Sequence, residues 1–221
     1  MTDLLAELDD QMRAERMQQI WNRHGKTIIA CLLGIVLATA LYSGHKEWDL
    51  RQKTKDTEAM FSVLKHEDFP NNVTAESKLD LRPSMRAIVM LNAAGAYLQK
   101  EEGKEIASSL YEALNTDNSI PEEFRDLATL SQVRLKLSME TIQPADALEK
   151  LKPLLDNDKG AYVSQALIEA ATLHAALKEY GKALALLDRV NARVNLPDTI
   201  YLKARTLVHV YSLKQSKAEE K

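Results

Sequence analysis

The feature that most constrains this chain is an uncharged stretch from Thr27 to Gly44, TIIACLLGIVLATALYSG, which lies between Lys26 and Lys46. A helix of these eighteen residues spans about 27 Å, slightly less than the hydrocarbon core of a bilayer, which is about 30 Å thick. The flanking lysine side chains can extend to the interface and cover the difference. The stretch therefore predicts one membrane-spanning helix over residues 27–44.

Three other interpretations of the stretch are less favoured. A buried core helix usually carries a polar stripe and is shorter between charges. A cleaved signal peptide has a short basic leader, whereas residues 1–26 include five acids, and Ala38-Thr39-Ala40 lies inside the apolar run rather than after it. Cys31, the only cysteine, precedes most of the apolar residues, which is the wrong order for a lipoprotein signal. We therefore expect an uncleaved anchor in the lipid bilayer.

Basic residues do not decide how this anchor is oriented. Four precede it within the leader, and four follow it between residues 46 and 55. Because the positive-inside rule depends on a difference between the two sides, both orientations stay open at this point.

Composition indicates that the remaining residues are helical. The whole chain has only 7 glycines and 6 prolines, and the part after the anchor is rich in Ala, Leu, Glu and Lys. The net charge is −3 and no block of Lys and Arg stands out, so we expect no nucleic-acid partner. The predicted fold class is all-α.

Changes in polarity and helix-breaking residues divide the chain into six segments. The predicted segments are an acidic leader over 1–26, the transmembrane helix over 27–44, a helical stalk over 45–66, a loop over 67–82, a helical repeat domain over 83–213 and a disordered tail over 214–221. The leader is interpreted equally well as an amphipathic helix or as a frayed polar tail.

Helices in the repeat domain are expected to come in pairs, because proline and glycine interrupt the apolar periodicity at regular intervals. The predicted helix starts and breaks are Pro83, Gly103, Pro121, Pro144, Gly160, Gly181 and Pro197. Hairpins that recur about every 35 to 40 residues are typical of an α-solenoid. The third pair fits the tetratricopeptide repeat (TPR) pattern best, with Ala171 and Ala183 at its small-residue positions, Tyr180 at the turn, and Leu167 in place of the signature tryptophan.

With these features the chain resembles a known family, the TPR-like single-pass ancillary subunit of the bacterial SecYEG translocon. The resemblance covers nearly the whole chain, from the segment WNRHGK at residues 21–26, through Trp48 and the polar stalk, to the paired helices. Arg82-Pro83 and the segment FRDLA at residues 124–128 are more similar to alphaproteobacterial members, whereas the Gly-Asp turn common in the family is here Glu179-Tyr180-Gly181.

The resemblance implies a location and partners that the residues alone do not give. It implies a cytoplasmic N-terminus, one helix in the bacterial inner membrane and a periplasmic repeat domain. It also implies two partners, SecYEG and a membrane-anchored periplasmic chaperone of the peptidyl-prolyl isomerase type. The expected function is a scaffold that assists the hand-over of secreted proteins. The alternative is a regulatory tether in the envelope, for stress response or cell division, with the same architecture.

An enzymatic function has no support among the residue patterns. The five histidines show no metal-ligand spacing, and no Gly-rich phosphate loop or nucleophile elbow occurs in the sequence. We therefore expect a binding protein without catalytic residues, metal or cofactor.

First helices of stacked hairpins line the surface on which a solenoid binds its partners. In the third hairpin the TPR register places Gln165, Ile168, Thr172 and Ala176 on this surface. The alternative is that these residues pack on the neighbouring hairpin. If they bind a partner, charged substitutions at Ile168 and Thr172 should weaken capture of the partner and leave thermal melting nearly unchanged.

A charge inside the anchor tests the membrane-spanning interpretation. The eight large aliphatic residues of the stretch favour insertion by about 2 to 5 kcal/mol in total, and one aspartate at its centre costs about 3 kcal/mol. Gly34→Asp should therefore move a large fraction of the protein out of the membrane pellet after alkaline extraction, and Gly34→Ala should not. Equal extraction of both variants would contradict the anchor.

Overall fold

The computed structural model describes residues 38–77 and 79–219, and these residues form helices and loops without a strand. The prediction of an all-α fold is confirmed for this part of the chain. The helices are α1 (residues 38–64), α2 (Pro83–Tyr97), α3 (Lys104–Thr116), α4 (Glu122–Ser138), α5 (Pro144–Asp156), α6 (Val163–Ala176), α7 (Tyr180–Asn191) and α8 (Asp198–Glu219), with a 3₁₀ turn at Glu101–Gly103.

The chain divides into two compact units, with the boundary between Lys55 and Asp56. Residues 38–55 of the first unit are helical and mostly exposed, and ion pairs one helical turn apart, such as Arg51 with Glu47 at 2.8 Å, lie along their surface. Over the described residues, no helix is both long enough and apolar enough to cross a membrane. Residues 27–37 of the predicted anchor, and the whole predicted leader, lie outside the described residues.

Most helices in the second unit begin near the prolines and glycines that predicted them, although Gly181 lies inside α7, which begins at Tyr180. Pro83 and Pro144 occupy the first turns of α2 and α5, and Pro121 is the N-cap of α4. Gly103 lies against the end of α2, where a methyl group would overlap the backbone oxygen of Tyr97. The interval between α2 and α3 therefore requires a residue without a side chain.

The seven helices from α2 to α8 form a linear array. Each helix packs against the next one in the chain, and first helices of successive pairs also contact each other, α2 with α4 and α6 with α8. The starts of α2, α4, α6 and α8 lie about 35 to 41 residues apart. This arrangement is consistent with a helical solenoid, in which each pair buries its apolar face against its neighbours.

The core of the array consists of three clusters in succession. The first joins the loop before α2, α2, α3 and one side of α4, the second joins α4, α5 and α6, and the third joins α6, α7 and α8. Val73 from the loop is completely buried in the first cluster, so the loop covers the N-terminal end of the array. No equivalent segment among the described residues follows α8.

Small residues lie where the helices approach most closely. Eleven alanines of the array are fully buried: Ala87, Ala93, Ala94, Ala107, Ala128, Ala147, Ala166, Ala170, Ala171, Ala183 and Ala204. Ala171 and Ala183, which the TPR pattern singled out, share the third cluster with Leu167.

The turns after α4 and α6 share an unusual backbone conformation. Glu140 has a φ of 57° and Lys178 has a φ of 62°. These residues occupy equivalent positions, about 38 residues apart. Left-handed conformations cost a residue with a side chain about 1–2 kcal/mol, so glycine is the usual residue at this position.

Hydrogen bonds at these two turns explain why the conformation is adopted. The amide of Thr141 donates to the carbonyl oxygen of Lys136 over 2.9 Å, and the amide of Glu179 donates to that of His174 over 2.8 Å. These are the six-to-one bonds of the Schellman motif, which satisfies carbonyl groups at the end of a helix. The repeated turn supports a repeated hairpin.

Arginine side chains donate hydrogen bonds to the loops between hairpins. Arg86 of α2 donates to Asp117 over 2.6 Å and to Ser119 over 2.8 Å, across the loop between α3 and α4. Arg189 of α7 donates to Asp158 over 3.0 Å, in the loop between α5 and α6.

One predicted boundary differs from the structure. The charged end was expected to be disordered from Lys214, but α8 continues to Glu219. The reason is local: no proline or glycine follows Asp198, and Ala, Lys, Gln and Glu are good helix formers.

Glycine at the two strained turns should stabilise the array. Lys178→Gly and Glu140→Gly each remove the left-handed penalty but add chain entropy to the unfolded state, so we expect a net gain of about 0.5–1 kcal/mol for each substitution. Urea denaturation should show nearly additive gains, because the backbone hydrogen bonds of the two turns have no residue in common. Lys178→Ala and Glu140→Ala serve as controls and should give no gain. A loss of stability in both glycine variants would contradict this assignment.

Candidate functional site

The residues predicted to bind a partner lie on α6, and the structure separates them by burial. Gln165 is half-buried, and Thr172 and Ala176 are exposed. Their spacing of seven and four residues places them on one side of the helix. Ile168 differs from these three residues because its side chain is buried.

Ile168 is only 2% exposed and belongs to the cluster formed by α6, α7 and α8. It therefore packs on the neighbouring helices, which was the alternative for this residue, and does not reach a partner. A charge at Ile168 would be buried without a counterion, so thermal melting would fall rather than stay unchanged. The reason is the cluster in which α6 packs against both α7 and α8, because Ile168 belongs to it.

An ion pair extends the exposed side of α6 onto α4. Nε of Arg134 lies 2.7 Å from Oε2 of Glu169. Counting from the shared turns, Arg134 is the repeat equivalent of Thr172, so the same helical position is exposed in both hairpins. We call the residues on this side the α4–α6 surface: Arg134, Gln165, Glu169, Thr172 and Ala176.

Arg134 and Glu169 were missed at the sequence level. The available signal was a pair of opposite charges about one repeat apart on successive first helices. That signal is weak, because charged residues are frequent in this chain and only the helix register identifies the pair. The α4–α6 surface thus combines an exchangeable ion pair with small side chains, a combination that suits protein recognition.

A second polar group lies at the turn between α6 and α7. Nδ1 of His174 lies 2.6 Å from Oε2 of Glu179, and Nζ of Lys182 lies 2.8 Å from Oε1 of the same carboxylate. Hydrogen bonds from Lys182, and secondly from His174, hold the pKa of Glu179 below its ordinary value. Both hydrogen bonds therefore favour the charged form of the Glu179 carboxylate.

Two depressions lie elsewhere on the array. One, of about 460 Å³, lies between the start of α4 and the loop before α6, where burial, and secondly the charge of Glu122, raises the pKa of Asp126. Asn157 of that loop donates to Glu122 over 2.9 Å. The other, of about 570 Å³, is lined by Phe69, Leu91, Asn92, Gly95, Ala96 and Gln99. Both are open to solvent.

Within residues 38–77 and 79–219, no group of three or more His, Cys, Asp or Glu side chains could hold a metal ion. In comparisons with known proteins, no family model, curated protein or solved structure matched the chain.

The lowered pKa of Glu179 makes a pH-dependent contribution to stability. The charged carboxylate stabilises the folded state above the ordinary glutamate pKa of about 4.3, and this contribution is lost as the pH falls through the lower folded pKa. Glu179→Gln should therefore melt below the wild type at pH 7, and the difference should shrink below about pH 4.

Glu149→Gln is the matched control, since it removes the same charge from an exposed position on α5. Thermal unfolding from pH 3 to pH 7 compares the three proteins. A Glu179→Gln difference that stays constant across this range would rule out the proposed contribution.

Proposed function

We propose that this protein is a membrane-anchored scaffold that binds other proteins through its helical repeats and works beside the SecYEG translocon. In this role it assists the hand-over of secreted proteins to a membrane-anchored periplasmic chaperone of the peptidyl-prolyl isomerase type. Its N-terminus is cytoplasmic, residues 27–44 cross the inner membrane, and the TPR-like repeats are periplasmic.

The observation that carries the proposal is the α4–α6 surface. It lies on the first helices of two successive hairpins, which is where helical repeats present their binding residues. Thr172 and Ala176 are small, so a partner can approach α6 closely without ordering long side chains. Arg134 is about half exposed and can exchange its pairing with Glu169 for a carboxylate on the partner.

The placement at the translocon has a different basis. It follows from the resemblance in the leader, anchor, stalk and repeat arrangement, with the uncharged stretch at residues 27–44 as the membrane segment. The proposed binding role and the proposed placement at the translocon can therefore be tested separately.

Charged substitutions on the α4–α6 surface test the scaffold. Thr172→Glu together with Ala176→Glu should lower recovery of the chaperone about tenfold after crosslinking in inner membranes, because contact residues at the centre of an interface carry most of its energy. The protein and its partners are purified in mild detergent and quantified by immunoblotting.

Ala185→Glu provides the matched control, because Ala185 is an exposed alanine on α7, in the layer of second helices. All variants should melt at the wild-type temperature, since the substituted residues are exposed. Chaperone recovery that is equal in the double variant and the control would overturn the assignment of this surface.

Removal of residues 1–44 tests the placement. We expect it to abolish recovery of translocon subunits, because the anchor makes that contact. If stress-response or cell-division proteins are recovered in place of translocon subunits, the protein is an envelope tether with the same architecture.

A further inference from the structure

Helix α8 packs on the array with one side only. Ala204 and Tyr211 are buried, and Ile200, Leu207 and Val208 are partly buried in the cluster that α8 shares with α6 and α7. The rings of Tyr211 and Tyr180 lie 6.4 Å apart and join α8 to α7. The spacing of these residues, three or four apart, defines one packed side of the helix.

The opposite side of α8 carries exposed leucines among polar residues. Leu202 is 62% exposed and Leu213 is 53% exposed, with the exposed Thr206 and His209 between them at helical spacing. Val210, at the edge of this stripe, is a further exposed aliphatic residue. We call the stripe formed by these five residues the outer face of α8. Exposed leucines repeated along one side of a helix can serve as the anchors of a helix–helix contact.

The two ends of the array differ in how they are covered. At the N-terminal end, Val73 and neighbouring apolar residues of the loop pack over α2 and α3. At the C-terminal end, α8 is a first helix without a second helix among the described residues. Terminal helices of solenoids generally have a polar outer face, because nothing further stacks on them. The outer face of α8 departs from this rule.

Charges beside the outer face identify what it binds. Lys203, Lys214 and Lys217 lie along one flank, and Arg205 lies on the other. Residues 199–218 of the helix contain no Asp or Glu. A partner that matches this pattern carries apolar residues on one face and carboxylates on both flanks.

The same charges disfavour a second copy of this chain as the occupant. In a symmetric pair the outer face would meet itself, and the cations on its flanks would face cations. We infer that the outer face of α8 binds an acidic amphipathic helix of a partner protein. This surface is separate from the α4–α6 surface, and the inference does not depend on placement at the translocon.

Binding of designed peptides tests the inference. The probe is a labelled helical peptide of about three heptads, with leucine along one face and glutamate on both flanks, and a second probe has lysine in place of glutamate. Each is titrated by fluorescence anisotropy with the full chain in lipid nanodiscs, and empty nanodiscs correct for binding to lipid. The acidic probe should bind at least about tenfold more tightly than the basic probe and should weaken as salt is added.

Two pairs of substitutions separate the apolar and charged parts of the site. Leu202→Glu with Leu213→Glu should lower the affinity for the acidic probe about tenfold or more. Lys203→Glu with Lys214→Glu should also lower this affinity, although it leaves the apolar residues intact. The α4–α6 variant Thr172→Glu with Ala176→Glu is the control and should bind the probe as the wild type does. Because all these residues are exposed, the melting temperature should not change.

Three results would overturn the inference. The first is equal binding of the acidic and basic probes. The second is failure of the α8 tests themselves: either both α8 variants bind the acidic probe as tightly as the wild type does, or the wild type does not bind the acidic probe. The third is self-association of the wild type in sedimentation that Leu202→Glu with Leu213→Glu abolishes, which would identify a second copy as the occupant. None of these results bears on the Thr172 and Ala176 test, so the two surfaces are judged independently.

Discussion

The close approach of neighbouring helices is the constraint on which the rest of the array depends. Fully buried alanines, such as Ala107, Ala128, Ala171 and Ala183, occur in each of the helices that pack in succession. An alanine lets two helix backbones come near each other, and a larger residue at such a position would force the helices apart. Because every helix is positioned by the one before it, a change in spacing at one pair would be passed to all later pairs. The orientation of the α4–α6 surface and of α8 therefore rests on these small residues.

Much of the fold could be predicted because the starts and ends of its helices depend on the local sequence. Proline at the first turns of α2 and α5, and glycine between α2 and α3, act through the backbone of a few residues and hardly depend on the rest of the chain. Apolar spacing of three and four residues then identifies the packed side of each helix. Ala171 and Ala183 were identified from the small-residue positions of the TPR pattern, and both are buried as those positions require.

What could not be predicted depends on residues that are distant in the chain. Ile168 has the same local spacing as Thr172, and only the packing of α6 against α7 and α8 makes one buried and the other exposed. The ion pair of Arg134 with Glu169 requires the register of two separate hairpins. The left-handed turn at Lys178 escaped notice because glycine, its usual signal, is absent there, and hydrogen bonds at the helix end stabilise it instead.

The burial of Ile168 has a thermodynamic consequence. It lies one helical turn from Thr172, in the cluster of α6, α7 and α8, and α8 packs there with one side only. Terminal elements with few neighbours have the lowest free energy of local opening, so α8 is the part of the cluster that separates first. Each opening would expose apolar surface of the cluster to which Ile168 belongs. A ligand that binds this newly exposed surface would favour the open state, because it makes contacts that the closed state buries, whereas a ligand that binds the outer face of α8 equally well in both states would shift nothing.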